Sequence, residues 1–161
     1  MTFQALLDEF CAAVQAGDGA RFAQVFTEDA VYHDVFYGPQ AGREAIAQML
    51  EGLFYRDGRN YEWQMIDPLA GEIPGRGQVG YARWLFSFDG ATAASEGRRV
   101  VMEGVGLFEL RDGLISRYED SAKTGEVLLR MGFPPEKLFR VLSRMVKEQD
   151  GRDEVRAHLE R

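Results

Sequence analysis

A chain of 161 residues is expected to form one domain with a substantial core rather than two. Its 45% apolar and 28% charged residues are the balance of an ordinary globular protein, and the formal net charge of -7 argues against a nucleic-acid partner. No apolar run approaches the roughly 18 residues that span a bilayer, and Asp8 and Glu9 interrupt an N-terminus that also lacks the basic start of a signal peptide, so the expectation is no membrane contact and a cytoplasmic protein.

In chain order, Phe3, Leu6, Leu7, Phe10, Cys11 and Val14 recur at three- and four-residue spacing and predict an amphipathic helix, capped by Thr2 and ended by Gly17. Asp18 opens a short helix with Phe22, Val25 and Phe26 on one face. A strand over 30–35 follows, then the breaker Gly38-Pro39. A third helix over 42–54 carries Ile46, Met49, Leu50, Leu53 and Phe54 as its buried stripe, and Asp57-Gly58 ends it.

From Tyr61 the pattern turns to strands. One runs over 61–67 and stops at Pro68, residues 71–77 are turn material, and longer strands follow over 78–88 and 98–110. Asp112-Gly113 makes a tight hairpin into a strand over 114–120. Pro134-Pro135 opens a helix with Leu138, Leu142, Met145 and Val146 on its apolar stripe, placed either to cap a pocket mouth or to extend an interface. Beyond Asp150-Gly151 the charged tail, with His158, reads as frayed or weakly helical. Helices followed by a meander of long strands predict an α+β domain over 1–125, a cone-shaped, curved antiparallel β-sheet wrapped around the N-terminal helices, with a C-terminal helical extension over 126–161.

The feature that bears most directly on function is Tyr32-His33-Asp34 on the first strand. Strand alternation puts Tyr32 and Asp34 on one face and His33 on the other, so an inward Tyr32 carries a carboxylate into the interior. His33 is then a surface or interface residue, with a catalytic use as the lesser alternative. Eleven Phe, six Tyr and two Trp are enough to line a pocket as well as fill a core. The single Cys11 excludes an internal disulfide, and one cysteine with two distant histidines offers no transition-metal site. Phosphate loop, dinucleotide fingerprint and nucleophile elbow are absent from the sequence, so cofactor-independent chemistry is expected.

The order of elements, together with AGDGARFAQVFTEDAVYHD, GREAI and GLFELRDGLISRYED, resembles the nuclear transport factor 2-like superfamily over about residues 3–125. This is the cone-shaped fold of ketosteroid isomerase, limonene epoxide hydrolase and the SnoaL-like polyketide cyclases. By resemblance to the epoxide hydrolase, Tyr32 matches the tyrosine that holds a water, Asp34 replaces an asparagine, Arg83 matches the arginine, and Asp120 the last-strand aspartate. Leu85 stands where that enzyme has its epoxide-protonating acid. By resemblance to the isomerase, Asp34 sits at the general base. Phe10 falls near its first-helix tyrosine and Val105 near its later acid, with Glu103 two residues away.

If these residues face one cavity, Asp34, Asp120, Arg83 and Tyr32 form the catalytic set, with Glu103, His33 and Tyr118 as possible additions. Phe10, Phe36, Phe54, Trp63, Leu85 and Val105 are expected to line the pocket. Asp34 would be the principal base, Asp120 a second acid/base oriented by Arg83, and Tyr32 a hydrogen-bond donor. Burial and mutual repulsion would then leave one carboxylate ionised and one neutral, as proton transfer requires. The structural alternatives are a turn-capping Asp34, a purely structural Arg83–Asp120 ion pair and an outward Glu103. The sequence thus predicts isomerase, cyclase or dehydratase chemistry on an apolar cyclic molecule. Hydration of an epoxide is the alternative, and a non-catalytic ligand-binding or protein-interaction module the second. A homodimer paired through the outer face of the sheet is also expected.

Overall fold

The structure, a computed structural model, describes residues 1–160. Helix α1 (Phe3–Ala16) starts where the Thr2 hydroxyl accepts the amide of Ala5 and ends at Gly17, whose φ of 68° suits a residue without Cβ. Its stripe of Leu6, Leu7, Phe10 and Val14 is buried. Each such side chain removed from water contributes about 1.5–3 kcal/mol. Helix α2 (Gly19–Ala23) is shorter than the sequence suggests, because Val25 and Phe26 already belong to the entrance of the first strand.

Six strands form one curved sheet: β1 (Phe26–Asp34), β2 (Gly38–Ala41), β3 (Gly58–Ile73), β4 (Gly77–Gly90), β5 (Arg99–Arg111) and β6 (Leu114–Ala122), in the order β2-β1-β6-β5-β4-β3. The sheet is mixed rather than antiparallel, since β1 runs parallel to β6 while every other neighbouring pair is antiparallel. The breaker at Gly38-Pro39 is itself part of β2, a short edge strand, and a proline costs no ladder hydrogen bond on an edge. Pro68 likewise does not end β3. A register shift between Ile66 and Leu69 absorbs it on the opposite edge of the sheet, and the hairpin into β4 tightens only around residues 74–76.

Between β2 and β3, helix α3 (Gly42–Met49) passes into a π-helical turn, Leu50–Phe54, and a last turn α4 (Tyr55–Asp57). The Tyr55 hydroxyl donates to the carbonyls of Val14 and Gln15, satisfying acceptors at the end of α1. Gln15 in turn accepts the backbone N–H of Trp63 on β3, which ties the helical layer to the sheet. After β6 come α5 (Thr124–Arg130), α6 (Pro135–Asp150) and α7 (Asp153–Leu159). No helix among the described residues is long and apolar enough to cross a membrane.

Candidate active site

The parallel pairing of β1 with β6 builds the site. Tyr32 is in register with Tyr118, their ring centroids are 4.7 Å apart, and each tyrosine is followed two residues later by an aspartate. Because side chains two apart in a strand share a face, Asp34 and Asp120 emerge on the same inner side of neighbouring strands. Both line one cavity of about 300 Å³.

Asp34 is 5% exposed, and its Oδ1 accepts the backbone N–H groups of Phe36 and Tyr37, each at 2.8 Å. The carboxylate therefore folds the turn between β1 and β2 as well as facing the cavity. Burial raises its pKa, while the two N–H groups and the nearby His33 act in the opposite direction.

Asp120 accepts the hydroxyl of Tyr118 on Oδ1. Burial pushes its carboxyl well above the usual range and the charge of Asp34 adds to that, while the Tyr118 hydroxyl partly opposes it. Two glycines make room for this arrangement. A Cβ at Gly104 would lie 2.5 Å from the Trp84 indole, and one at Gly106, the register partner of Asp120, would lie 2.9 Å from the Tyr118 ring.

The rest of the wall is aromatic: Phe54, Tyr61, Trp63, Trp84, Phe86 and Phe88 line the cavity. The Tyr37 hydroxyl donates to Asp57 at 2.7 Å, and the Asp57 pKa is lowered first by its hydrogen bond from Arg56. The far side is closed by the C-terminal extension, through Leu128, Met131, Phe133, Lys137, Val141 and Arg144. The 1–125 unit of the sequence therefore does not contain the whole cavity.

Several expected site residues lie elsewhere. Arg83 is on the outer face of the sheet, with 65% of its side chain exposed and Asp67 at 3.5 Å as its ion-pair partner, so it does not orient Asp120. Leu85, Glu103 and Val105 share that outer face, where Glu103 pairs with Lys123. The reason is strand parity: Ala82, Trp84, Phe86 and Phe88 take the inward positions of β4, and the residues between them must point out. Tyr118 supplies the contact to Asp120 that the sequence assigns to Arg83. His33 lies opposite Asp34 and is half-buried between Pro39 and Glu119.

Phe10 is fully buried in the core, edge-on to Phe22 and Trp63 with centroids 4.9 Å away, and does not line the cavity. Tyr32 is also fully buried behind the wall, and its hydroxyl has no hydrogen-bond partner among the described residues. Phe36, Phe54 and Trp63 line the cavity as the sequence predicts. Trp84 escapes the sequence-based site, although the alternation of Trp84, Phe86 and Phe88 signals an inward face, while α6 takes the first of its two expected places, at the pocket mouth. Cys11 is buried and its thiol is pushed up to about 12, which leaves it inert at neutral pH. Among the described residues no three His, Cys, Asp or Glu side chains are grouped to hold a metal ion.

Residues 7–118 match the model of the SnoaL-like domain, and the chain belongs to that family. No curated protein sequence matches it. Among solved structures, a protein with a ketosteroid isomerase-like fold from Catenulispora acidiphila, in complex with trimethylamine, is similar at a TM-score of 0.68 and 18% identity, over 84% of this chain and 98% of that one. A type 2 hexachlorocyclohexane dehydrochlorinase is similar at 0.65 and 14% identity, over 74% and 82% of the two chains. An LEH-like epoxide hydrolase from M. tuberculosis is similar at 0.58 and 19% identity, over 89% and 94%. At these identities the likeness is one of fold.

Proposed function

We propose that this chain is a cofactor-independent acid–base enzyme acting on an apolar, cyclic small molecule, with Asp34 and Asp120 as the proton-transferring pair. The observation that carries this reading is the placement of two carboxyl groups from two parallel strands on one wall of an aromatic cavity. Their surroundings separate them. Asp34 is held by two N–H donors that favour its ionised form, whereas Asp120 is pushed further up and keeps its proton longer.

In the forward direction Asp34 takes a proton from an acidic carbon of the substrate, and the electron pair left on that carbon moves towards an oxygen or a leaving group. Asp120 delivers its proton to the atom where that charge gathers, while the Tyr118 hydroxyl keeps the acid in position. Proton exchange between the carboxyls, or through water, resets the pair. Isomerisation, cyclisation and elimination all follow this course. Names borne by proteins of similar fold, a dehydrochlorinase and an epoxide hydrolase among them, agree with catalysis on small molecules. Epoxide hydration ranks second, because Arg83 points away from the cavity and leaves Asp120 without the guanidinium of that mechanism.

The test is a set of apolar cyclic ketones incubated in deuterium oxide and read by mass spectrometry. Wild-type protein should introduce deuterium at the carbon next to the functional group, and Asp34→Asn and Asp120→Asn should not. Full exchange by both variants overturns the assignment. Oxygen from labelled water in the product points to hydration instead.

A further inference from the structure

The two cations of the cavity lining, Lys137 and Arg144, lie on one side of it. Lys137, Val141 and Arg144 all border it, and their spacing of four and three residues makes them one stripe of α6. Lys137 Nζ lies over the ring of Phe133, itself a lining residue, at 4.3 Å from the centroid, which fixes the ammonium at the rim. It is in no ion pair among the described residues. Arg144 meets only Glu148, one turn on, at 3.6 Å with both side chains mostly exposed. The ionised acid of the lining, Asp57, is already matched by Arg56 at 2.7 Å and by Tyr37. Two cations, Lys137 without an ion pair among the described residues and Arg144 in one exposed pair, therefore stand where an apolar cavity meets solvent, on a chain whose net charge of -7 would otherwise repel an anion.

We infer that the molecule bound in this cavity carries a carboxylate, which Lys137 and Arg144 receive at the rim while its ring portion reaches in towards Asp34 and Asp120. This rests on the reading that the cavity is the ligand site. A guanidinium presents a planar fork to a carboxylate and an ammonium adds a point charge, so the pair selects for the anion and sets which end of the molecule enters first. The apolar wall supplies affinity without regard to charge. Selectivity thus resides in α6, outside the segment that defines the family.

The experiment compares adamantane-1-carboxylate with adamantane-1-carboxamide, a neutral molecule of nearly the same shape, by isothermal titration calorimetry at pH 7.5 and low salt. Wild-type protein should bind the carboxylate about tenfold more tightly, the size expected of two partly exposed ion pairs, and ~0.5 M salt should erase most of that preference. The double variant Lys137→Gln/Arg144→Gln should bind the two ligands alike. Arg83→Gln, which removes a cation from the outer face, should keep the preference. Equal affinities in the wild type, or a preference that survives the double variant, overturn the inference while leaving the cavity as a ligand site. Binding of neither molecule overturns both.

Discussion

Tyr32 and Tyr118 face each other across a parallel strand pair with ring centroids 4.7 Å apart, and this single register brings Asp34 and Asp120 to the same wall. A slip of one residue would turn one aspartate out to solvent and remove the site.

Asp120→Asn should lower turnover by at least about 100-fold, the contribution of a positioned acid or base. It should also change how stability depends on pH. The pKa of Asp120 is raised in the folded protein, so between its unfolded value near 4 and its folded value the native state holds the extra proton. Wild-type stability must then fall as pH rises through that window, by up to about 1.4 kcal/mol per pH unit for one group, and level off above the folded pKa. In the asparagine variant this slope should be shallower, with only the share of Asp34 left, as urea unfolding at pH 5 and pH 8 would show.

At Asp34 two substitutions separate folding from chemistry. Asn keeps an oxygen able to accept the N–H groups of Phe36 and Tyr37, so Asp34→Asn should fold normally and lose activity. Asp34→Ala leaves both donors unpaired and should cost about 2 kcal/mol, a fall in Tm of roughly 4–8 °C. Equal Tm values for the two variants would refute the turn-capping role.

Tyr118→Phe removes the hydroxyl that favours the ionised form of Asp120. The carboxyl should titrate at a still higher pH, and the matching limb of the kcat/KM profile should move alkaline. Tyr32→Phe should behave differently, because that hydroxyl is buried without a partner. Its removal should raise Tm by about 2–4 °C.

On the outer face Tyr81, Leu85 and Val105 are exposed by 42%, 39% and 41%, with Arg83 and Glu103 beside them. A second copy of the chain, related by a two-fold axis, is the proposed occupant of this surface. Light scattering should give twice the 18.2 kDa chain mass at micromolar concentration. Val105→Glu should reduce it to the single-chain value, and a monomeric wild type would refute the dimer.

The α+β architecture, the helix starts and both site aspartates were legible in the sequence, because apolar periodicity and strand alternation are local properties. The outward turn of Arg83 was legible too. Trp84, Phe86 and Phe88 alternate as an inward face, but the match of Arg83 to a family position points the opposite way. One parity error then misplaces Leu85, Glu103 and Val105 together, since the β4–β5 register pairs Arg83 with Val105 and Leu85 with Glu103. What no local pattern carries is the parallel pairing of β1 with β6, which joins parts of the chain far apart in sequence.

That distance has a consequence for how the protein comes into being. Residues 32 and 118 must meet before the two aspartates share a wall, and closing so long a loop is among the slower steps open to a chain of this size. During synthesis helices α1 to α4 and the β3–β4 hairpin can form while β6 is still inside the ribosome. A nascent or truncated chain ending before Leu114 would thus hold much of the scaffold, with Asp34 lacking its partner. The two carboxyl groups of the cavity therefore come to share a wall only once β6 has been made.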